Sequence, residues 1–539
     1  MGSDTPELDA ALAGASLDVV GQAGRHDAIV VGAGAAGGFA AELLTEAGLR
    51  VLVLDAGWRE GFWERPIRRS VSTMLENLSS PNITRRLPPS VLWKVQRIAR
   101  IAGRLRQPIQ SECYAWPSAP ESFVDDLECP YETPSGKPFN WIRVRGLGGR
   151  MTVPLHGRQY YRHVRRDFRP ADGASPPWPF EPEDIDPWYD MVEQRLDLSG
   201  RHEGHSWAPD SHISRLRTPT PLEDAFLARI KARYPAVTPI LGRYAPPMPS
   251  MRRAAATGRL LCRTGAIARH IEMDGARATG VVFYDRRART LVKASAPLIF
   301  LCAATLETTR ILLTSRSDAH PEGLGGRSGA LGRNLMDHVS IKIEGEAPSE
   351  GLDPGPAEQG PCVYLPRFDA RETGKLGPER GFGVRVYLGA GTSGGTSYFV
   401  AVADSEMLPR AENRVTLSSR TDAWGIPILH ISCSHGETER SVARQQAAAL
   451  RELADLAGAK LLAPIGDPAA PGSAIHEVGT ARMGDDPNNS VLDPYNECWD
   501  ARGLFVTDGS SFPSEGIQNP TLTILALTAR ACRRAIETR

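Results

Sequence analysis

The 539-residue sequence has no net charge and no long apolar run. Lys plus Arg and Asp plus Glu each number 63. A balanced chain has no electrostatic attraction to nucleic acid or to an anionic membrane surface, so neither is expected as a partner. No apolar run reaches the roughly 20 residues that a bilayer-spanning helix needs. What is present, 41% hydrophobic and 23% charged residues, is typical of a globular protein with two domains or one large composite unit.

The sequence also lacks cysteine pairs with metal-ligand or redox spacing. Its eight cysteines include no CxxC pair, and no metal site is predicted. Several stand in apolar runs such as IFLCAAT, which indicates free thiols in a reducing compartment. The first 25 residues contain acids and have no basic start followed by an apolar core, so they predict a loosely ordered tail and no secretory signal. We therefore expect a cytoplasmic location.

Local charge is strongest in the arginine-rich piece RQYYRHVRRDFR, residues 158–169. Such a run is either solvated surface or a set of phosphate contacts. Solvated surface is the preferred interpretation, because the overall charge balance suggests no polyanionic partner.

The N-terminal quarter contains the pattern of a dinucleotide-binding βαβ unit, in HDAIVVGAGAAGGFAAELLTEAGLRVLVLDAG. The apolar run 28–31 predicts a buried parallel strand, and FAAELLTEAG predicts a helix that Gly48 stops. Residues 50–54 predict a second strand that ends at Asp55. Between the first strand and the helix stand glycines in GxGxxG spacing: Gly32, Gly34 and Gly37. The acid follows the loop by about 20 residues, as the dinucleotide fingerprint requires.

Each part of this unit has a physical role in holding a pyrophosphate. Gly32 permits the tight turn, Gly34 lets the backbone approach the phosphates, and Gly37 lets the helix pack on the strand. The helix N-terminus presents unpaired N–H groups to the phosphates, and Asp55 can accept hydrogen bonds from ribose hydroxyls. A glycine-rich turn in another kind of α/β protein is the alternative, and the motif alone does not distinguish NAD from FAD.

The middle of the chain contains a second glycine cluster and a returning strand. VRGLGGRMT brings Gly148, Gly149 and Thr152 together, which indicates either a backbone that a ligand approaches or a flexible turn. Short alternating and apolar runs then predict a β-meander, a buried strand at 297–302 and a helix from about Leu306. This pattern indicates a first domain that resumes after an insertion.

The C-terminal segment RGLFVTDGSSFPSEGIQNPTLTILALTARACRRAIETR predicts a strand, a polar turn and a helix. The apolar run 504–506 is the strand, and Asp508 and Gly509 begin the turn. Asn519 is predicted as the N-cap of the helix and Pro520 as its first residue. If a flavin lies beside Asn519, the helix dipole favours its anionic reduced ring by roughly 0.3–2 kcal/mol. An ordinary capped helix is the alternative.

Eight segments, taken in order, resemble the glucose-methanol-choline (GMC) oxidoreductases, flavoproteins that oxidise alcohols. The segments are VVGAGAAG, RGLGGRMT, ETTRILLTS, GRNLMDH, DAWGIP, HEVGTARMGDDPNNSVLD, LFVTDGSSFP and NPTLTI, and they extend over nearly the whole chain. The resemblance implies an α/β (α+β) fold, with a split Rossmann-type FAD-binding domain and an interleaved substrate domain built on an antiparallel sheet. Residues 1–25 form the tail, the FAD-binding parts are 26–170, 255–340 and 473–539, and the substrate parts are 171–254 and 341–472.

The resemblance also assigns roles to individual residues. The implied cofactor-binding residues are Gly32, Gly34, Gly37, Asp55, Gly148, Gly149, Thr152, Ala268, Asp508, Gly509, Asn519, Pro520 and Thr521. His476 matches the catalytic histidine, and Asn519 matches a partner position that is histidine in some members and asparagine in others. A histidine can take the proton of an alcohol near neutral pH while the carbon-bound hydrogen passes to flavin N5.

Some positions depart from the family pattern. Asp55 stands where Glu is more usual, and the shorter acid can still hold a ribose. Cys302-Ala303-Ala304 stands where an Ala-Gly pair is common. Members with covalently tethered flavin carry histidine at the place of Val153, so non-covalent FAD is expected. His156 lies nearby, either lining the site or without a role in it.

The resemblance thus predicts FAD-dependent oxidation of an alcohol group of a carbohydrate-like substrate to the carbonyl. The sequence pattern GGRMT…GRQ most resembles that of bacterial members that act on sugars and glycosides. Some of these members act on aminoglycoside hydroxyls in antibiotic biosynthesis. A polyol or aminosugar is therefore the expected substrate, with O2 or another carrier as electron acceptor. Two alternatives stay open: a lyase of the hydroxynitrile lyase type that holds FAD without net redox, and an NAD-dependent or non-enzymatic Rossmann protein.

Overall fold

The computed structural model describes residues 26–58, 88–153, 158–170, 173–205, 209–235, 237–349, 352, 362–366, 368, 381–393 and 395–539. The predicted N-terminal tail and His156 lie outside this described part of the chain. Within it, no helix is both long enough and apolar enough to cross a membrane.

Strands form two large sheets, and helices pack against them. The strands are β1 Ala28–Val31, β2 Val51–Asp55, β3 Ser199–Gly200, β4 Arg215–Leu216, β5 Ile240–Leu241, β6 Leu260–Thr264, β7 Ala266–Asp274, β8 Arg277–Asp285, β9 Thr290–Ser295, β10 Leu298–Leu301, β11 Val339–Pro348, β12 Cys362–Leu365, β13 Phe382–Ser393, β14 Thr396–Ser405, β15 Arg414–Thr421, β16 Pro427–Ser432, β17 Lys460–Leu461, β18 Glu497–Cys498 and β19 Ala501–Val506. The helices are α1 Ala35–Glu46, α2 Pro89–Gly103, α3 Arg165–Phe168, α4 Pro182–Arg195, α5 Pro221–Arg233, α6 Ser250–Ala256, α7 Thr305–Thr314, α8 Glu437–Ala457 and α9 Thr521–Glu537.

The first sheet has a parallel, fully buried centre. Its order is β6-β2-β1-β10-β19-β8-β7, with β9 beside β8 and β18 beside β19. The strands from β6 to β19 run parallel, and every residue of β1 and β10 is buried. Alternate residues of β1 pack in two different apolar clusters. Ile29 and Val31 belong to one cluster, and Ala28 and Val30 belong to the other. A strand that is apolar on both faces is typical of a parallel sheet covered on both sides.

The second sheet is antiparallel and has two unlike faces. Its order is β17-β11-β14-β13-β12-β5. Ile341, Ile343 and Val384 on one face pack in a common apolar cluster with residues of α5 and α8. Because side chains alternate along a strand, Lys342 and Arg385 face the opposite way, toward the space between the sheets. This polar face closes that space.

The predicted fold class is confirmed: the described chain has a split Rossmann-type parallel sheet and an interleaved antiparallel sheet. The first sheet takes strands from 28–55, 260–301 and 497–506, and the second takes its strands between 240 and 461. The bounds of β1 are as predicted, and those of β2, β10 and α7 differ from the prediction by a residue or two. The proposed domain boundaries stay a prediction.

Candidate active site

A cavity of about 770 Å³ lies between the two sheets. One wall, here called the cofactor wall, is built from the loops that follow β1, β2, β10 and β19. The other, the substrate wall, is the polar face of β11, β13 and β14 with the inner side of α2. Ligands of doubly wound sheets bind at the carboxyl ends of the strands, and the cofactor wall lies at those ends.

The first glycine loop is shaped partly by the chain and partly by the cavity. Gly32 has a φ of +95°, and a Cβ there would lie 2.4 Å from the carbonyl oxygen of Cys302. A Cβ on Gly37 would lie 1.8 Å from the carbonyl oxygen of Gly32, so both glycines are required by packing. A Cβ on Gly34 would meet no atom of the described residues within 4 Å, and its backbone φ of −69° suits any residue. No described residue therefore requires glycine at position 34, whereas a molecule filling the cavity would.

The second glycine loop lies directly against the first. Gly149 has a φ of +60°, and a Cβ there would lie 3.1 Å from the Cα of Gly34. Gly148, with a φ of +91°, and Thr152, whose hydroxyl donates to the Gly149 carbonyl at 2.8 Å, shape this turn. Gly148, Thr152 and Gly37 are described residues that do not line the cavity, whereas Gly149 does.

The two predicted cofactor-binding acids are buried and hydrogen bonded. Asp55 accepts the N–H of Ala33 at 2.8 Å and that of Gly57 at 2.7 Å, and burial raises the pKa of its carboxyl. Asp508 accepts the N–H and the hydroxyl of Ser510 at 3.0 and 2.6 Å, and burial raises its pKa as well. Both carboxylates reach the cavity, one after β2 and the other after β19.

These features fit FAD. The empty space at Gly34 lies at the N-terminus of α1, where a pyrophosphate is stabilised by N–H groups and by the helix dipole. The same cavity is also lined by Ala268, by Gly509, Pro520 and Thr521, and by His476. A volume of about 770 Å³ is also in the range of cofactor sites. The departure at 302–304 has a visible consequence, since Ala304 adopts a φ of +71° that glycine would take more readily.

His476 contacts a polar partner through each ring nitrogen. Its Nδ1 lies 2.8 Å from Nδ1 of His338, and its Nε2 lies 3.2 Å from Nδ2 of Asn519. The other nitrogen of His338, Nε2, lies 3.0 Å from the carbonyl oxygen of Gly516. The two predicted catalytic residues are therefore in direct contact, and His338 is a third member that the sequence did not predict.

The predicted N-cap role of Asn519 is wrong. Pro520 is the N-cap of α9, which begins at Thr521, and no side chain caps it. The Asn519 amide instead makes two side-chain contacts: its oxygen accepts from Nη1 of Arg385 at 2.7 Å and its nitrogen faces His476. Arg385 is in turn paired with Asp404. The strong partners on β13 and β14 hold the amide away from the helix end.

These contacts fix the tautomer of His476. An arginine only donates, so the Asn519 oxygen faces Arg385 and the Asn519 N–H donates to Nε2 of His476. At the other end the Gly516 carbonyl only accepts, so neutral His338 carries its proton on Nε2 and accepts on Nδ1. Burial lowers the pKa of His338 to about 4, which keeps it neutral near pH 7. The contact with Asn519 and the contact with His338 thus agree: the proton of His476 is on Nδ1 and its lone pair is on Nε2.

The backbone at His476 is held by two buried groups. Asp337 accepts the N–H of His476 at 2.9 Å, and also those of Gly472 and Ala474 at 2.7 and 3.1 Å. Burial and the nearby charge of Glu477 raise the pKa of Asp337 to about 7.

On the other side of His476, Glu477 accepts two hydrogen bonds from Arg150 at 2.9 and 3.0 Å. Between these anchors Ile475 has a φ of +65°, a strained backbone for a β-branched residue. Such strain is found where the surrounding structure forces a residue into place.

For some of the missed residues, a motif in the sequence contains a usable signal. Asp337 and His338 lie in GRNLMDH, a segment that the family resemblance includes without assigning them a role. Arg385 and Asp404 stand in alternating strands that have no motif, and only the pairing of β13 with β14 brings them together.

Comparisons with known proteins show which family the chain is similar to. Residues 409–528 match the family model described as GMC oxidoreductase, and residues 30–103 match a model described as NAD(P)-binding Rossmann-like domain. The 2-methyl-1,2-propanediol dehydrogenase of Mycolicibacterium austroafricanum is 28% identical over 50% of this chain, which is 53% of that protein's own length. The paromamine 6'-oxidase of Streptomyces fradiae is 25% identical over 94% of this chain and 90% of its own.

A solved structure has the same fold over nearly the whole length. The crystal structure of pyridoxine 4-oxidase from Mesorbium loti superposes with a TM-score of 0.61, covers 95% of this chain and 99% of its own, and is 18% identical. At this identity the likeness concerns the fold alone.

Proposed function

Because the chain belongs to the GMC oxidoreductases, we propose that it oxidises an alcohol group of a carbohydrate-like substrate to the carbonyl, with His476 as the base. The observation that carries this proposal is the pairing of His476 with Asn519 at the cavity, with the lone pair of His476 on Nε2. An alcohol gives up its carbon-bound hydrogen as hydride only when its hydroxyl proton also leaves. A positioned base at this point is worth roughly 10²–10⁴-fold in rate.

The family uses FAD, and we propose that this chain binds it without a covalent bond. Gly34, the N-terminus of α1 and Asp55 would hold the ADP half, while Gly149, Gly509 and Pro520 would border the flavin half. The flavin, when bound, supplies the acceptor for the hydride. Val153, at the place where tethered members carry histidine, is fully buried and offers no nucleophile.

The protein's own part in the reaction is to orient a hydroxyl and remove its proton. Asn519 cannot act as a base, so its N–H can hold the substrate oxygen beside Nε2 of His476 without competing for the proton. His338 accepts from Nδ1 of His476, and it can therefore stabilise the imidazolium that forms when Nε2 gains a proton. Asp337 and the Arg150–Glu477 pair keep the ring in place.

The substrate wall supports a carbohydrate-like substrate. It presents Tyr387 and Tyr398 together with charged side chains of β11, β13 and β14. Tyrosine rings pack on the apolar faces of sugars while their hydroxyls make hydrogen bonds. The name of the Streptomyces fradiae relative, paromamine 6'-oxidase, is consistent with such a substrate class for this chain. A lyase function without net redox is not favoured, since the named relatives are oxidases and dehydrogenases.

Anaerobic mixing of the purified yellow protein with a panel of polyols, sugars and glycosides tests this proposal. At least one substrate should bleach the flavin absorbance, and admission of air will separate an oxidase, which recovers its colour at once, from a dehydrogenase. A colourless protein that binds no FAD, or a flavin that no alcohol reduces, would contradict it. Precipitation with acid should release all of the flavin into the supernatant if the binding is non-covalent.

A further inference from the structure

Most charged side chains that line the cavity are neutralised within the protein. On the substrate wall, Lys342 lies 2.7 Å from Glu344, and Arg385 is paired with Asp404. On the cofactor wall the ionic groups have partners as well, such as Arg150 with Glu477. Each of these groups is therefore held by the fold and does not need a ligand.

Arg100 and Arg158 are the exceptions among the charged lining residues that the structure describes. Neither guanidinium has an ion pair or hydrogen bond with a described residue, and the Nε of each is shielded from solvent without a partner. Both side chains are half-buried and line the cavity. A shielded donor without a partner is unfavourable, more so when it is charged, and the described residues leave these two cations unsatisfied.

Arg100 belongs to the substrate wall, and Arg158 lines the same cavity. Arg100 is on α2, which packs on β11, β13 and β14, and its charge acts on Glu344 and Tyr398 of that wall. Arg158 acts electrostatically on Tyr244, as does Arg385, whose guanidinium bonds Asn519. The phosphates of a dinucleotide belong at Gly34 and the N-terminus of α1, on the opposite wall. A pyrophosphate bound there would leave the charge of Arg100, on the opposite wall, without a partner.

We propose that the substrate carries an acidic group, a carboxylate or a phosphate, which Arg100 and Arg158 bind while the alcohol lies at His476. This inference rests on the alcohol oxidation proposed above and narrows its substrate class to a hydroxylated acid, such as a sugar acid or sugar phosphate. Arginine suits both groups, because its planar fork donates two parallel hydrogen bonds to carboxylate or phosphate. An aminosugar would instead bring an ammonium group toward two guanidinium groups that form no ion pair with a described residue, and like charges disfavour binding.

Calorimetric titration of the FAD-loaded protein with four ligands of one ring type tests the charge preference without turnover. Glucose is neutral, glucuronate carries a carboxylate, glucose 6-phosphate carries a phosphate, and glucosamine carries an ammonium group. At pH 7 we expect one of the two anions to bind about 10- to 100-fold more tightly than glucose, because hydrogen bonds to charged groups contribute about 1.5–3 kcal/mol. Glucosamine should bind more weakly than glucose. The tighter of the two anions identifies the acidic group.

The variants Arg100→Gln and Arg158→Gln should remove this preference and leave the Kd of glucose within about threefold, since a neutral sugar forms no ion pair. Arg97→Gln is the matched control: it removes a positive charge from the same helix, but Arg97 is exposed and stacks on Trp93 with a 5.3 Å separation from the ring. It should leave all four Kd values unchanged. A preference that survives both cavity variants, or a tightest Kd for glucosamine, would overturn the proposal.

This inference and the proposed oxidation fail separately. If the anions bind in an arginine-dependent way but no hydroxylated compound bleaches the flavin, the anion subsite is supported and the proposed oxidation is contradicted. If sugars bleach the flavin at rates that do not depend on their charge or on the two arginines, the proposed oxidation is supported and the anion subsite is contradicted.

Discussion

The two walls of the cavity differ in whether backbone or side-chain atoms form them. The cofactor wall is mostly backbone: Gly34, the N–H groups that open α1, and the turn at Gly509, all in loops after parallel strands. The substrate wall is made of side chains that project from alternate positions of antiparallel strands, among them Lys342 and Arg385. A backbone wall of this kind suits any dinucleotide, whereas the side chains of the substrate wall determine which substrate this protein can bind.

The difference also determines what holds each wall in shape. Backbone loops need only glycines at a few points, because hydrogen bonds of the sheet fix the rest. The side chains of the substrate wall need strand register, in which Lys342 pairs opposite Val402 and Val402 opposite Arg385. A substitution should therefore affect cofactor loading on one wall, and substrate turnover with the cofactor in place on the other.

The largest effect is expected on the cofactor wall, from Gly34→Val. The new side chain has open space in the protein and an ordinary backbone conformation, so the chain should fold. It would occupy the place where the phosphates approach the backbone, so FAD should be lost. The flavin-to-protein absorbance ratio and the circular dichroism spectrum measure the two properties.

Gly466→Val is the control for this substitution, since a Cβ there also meets nothing within 4 Å and Gly466 does not line the cavity. That variant should remain fully yellow. Full flavin content in the Gly34→Val protein would remove this loop from the cofactor site.

His476→Ala should leave the cofactor wall intact and abolish most turnover. Loss of a positioned base lowers the rate of flavin reduction by roughly 10²–10⁴-fold. Rapid mixing of substrate with the FAD-loaded variant under nitrogen measures that rate, and the flavin content should match the wild type. His270→Ala, which removes a partly exposed histidine paired with Glu272, is the control and should reduce flavin normally. Wild-type flavin reduction by the His476→Ala protein would refute its role as base.

The sequence predicted the cofactor wall far better than the substrate wall. Gly32, Gly34 and Asp55 stand close together in the chain, and a local motif is enough to place them. His476 and Asn519 followed from the family resemblance, and the structure brings them into contact. Arg385, Asp404 and His338 depend on long-range pairing, which single-chain periodicity does not reveal. The N-cap prediction for Asn519 failed for the same reason, because an arginine more than a hundred residues away binds the amide.

Arg385→Lys tests whether the substrate wall orients Asn519. A lysine has no fork, so it cannot bind the Asn519 amide and the Asp404 carboxylate at once in the observed geometry. We expect flavin reduction to slow by about 10- to 100-fold, the value of a lost hydrogen bond to a charged group. FAD content should not change.

A double-mutant cycle with Asn519→Ala locates the effect. If Arg385 acts through Asn519, the double variant should be no slower than Asn519→Ala alone. Full additivity of the two losses would show that Arg385 contributes by another route.

The variants His338→Leu and His338→Asn distinguish two roles of His338: accepting the hydrogen bond that sets the His476 tautomer, and filling space beside it. Leucine removes the acceptor for the Nδ1–H of His476, while asparagine can place an amide oxygen close to the same point. The leucine variant should reduce flavin up to about tenfold more slowly, which corresponds to one ordinary hydrogen bond, and the asparagine variant should recover most of the rate. Equal rates in both variants would mean that His338 only fills space.

The last prediction is a pH dependence of stability that arises from His338. His338 is buried, and burial lowers its pKa from 6.5 to about 4. Between these pH values the unfolded chain binds a proton that the folded protein does not, so the free energy of unfolding should fall as the pH falls from about 6.5 to about 4. Above that window both states are neutral at this residue, and its contribution is constant.

Urea unfolding of the FAD-loaded wild type and the His338→Asn variant at several pH values isolates this contribution, since the variant has no titrating group there. The groups that face His338 are His476, Glu515, Asp404 and Arg385. Burial raises the pKa of Glu515, which makes its own contribution opposite in sign, a loss of stability as the pH rises. Because Glu515 is present in both proteins, the difference between them should be flat above about pH 6.5 and should shift in favour of the variant below it. Parallel curves across the whole range would mean that the folded protein protonates His338 as easily as the unfolded chain does, and the neutral ring needed to fix the His476 tautomer would then be lost in mildly acidic solution.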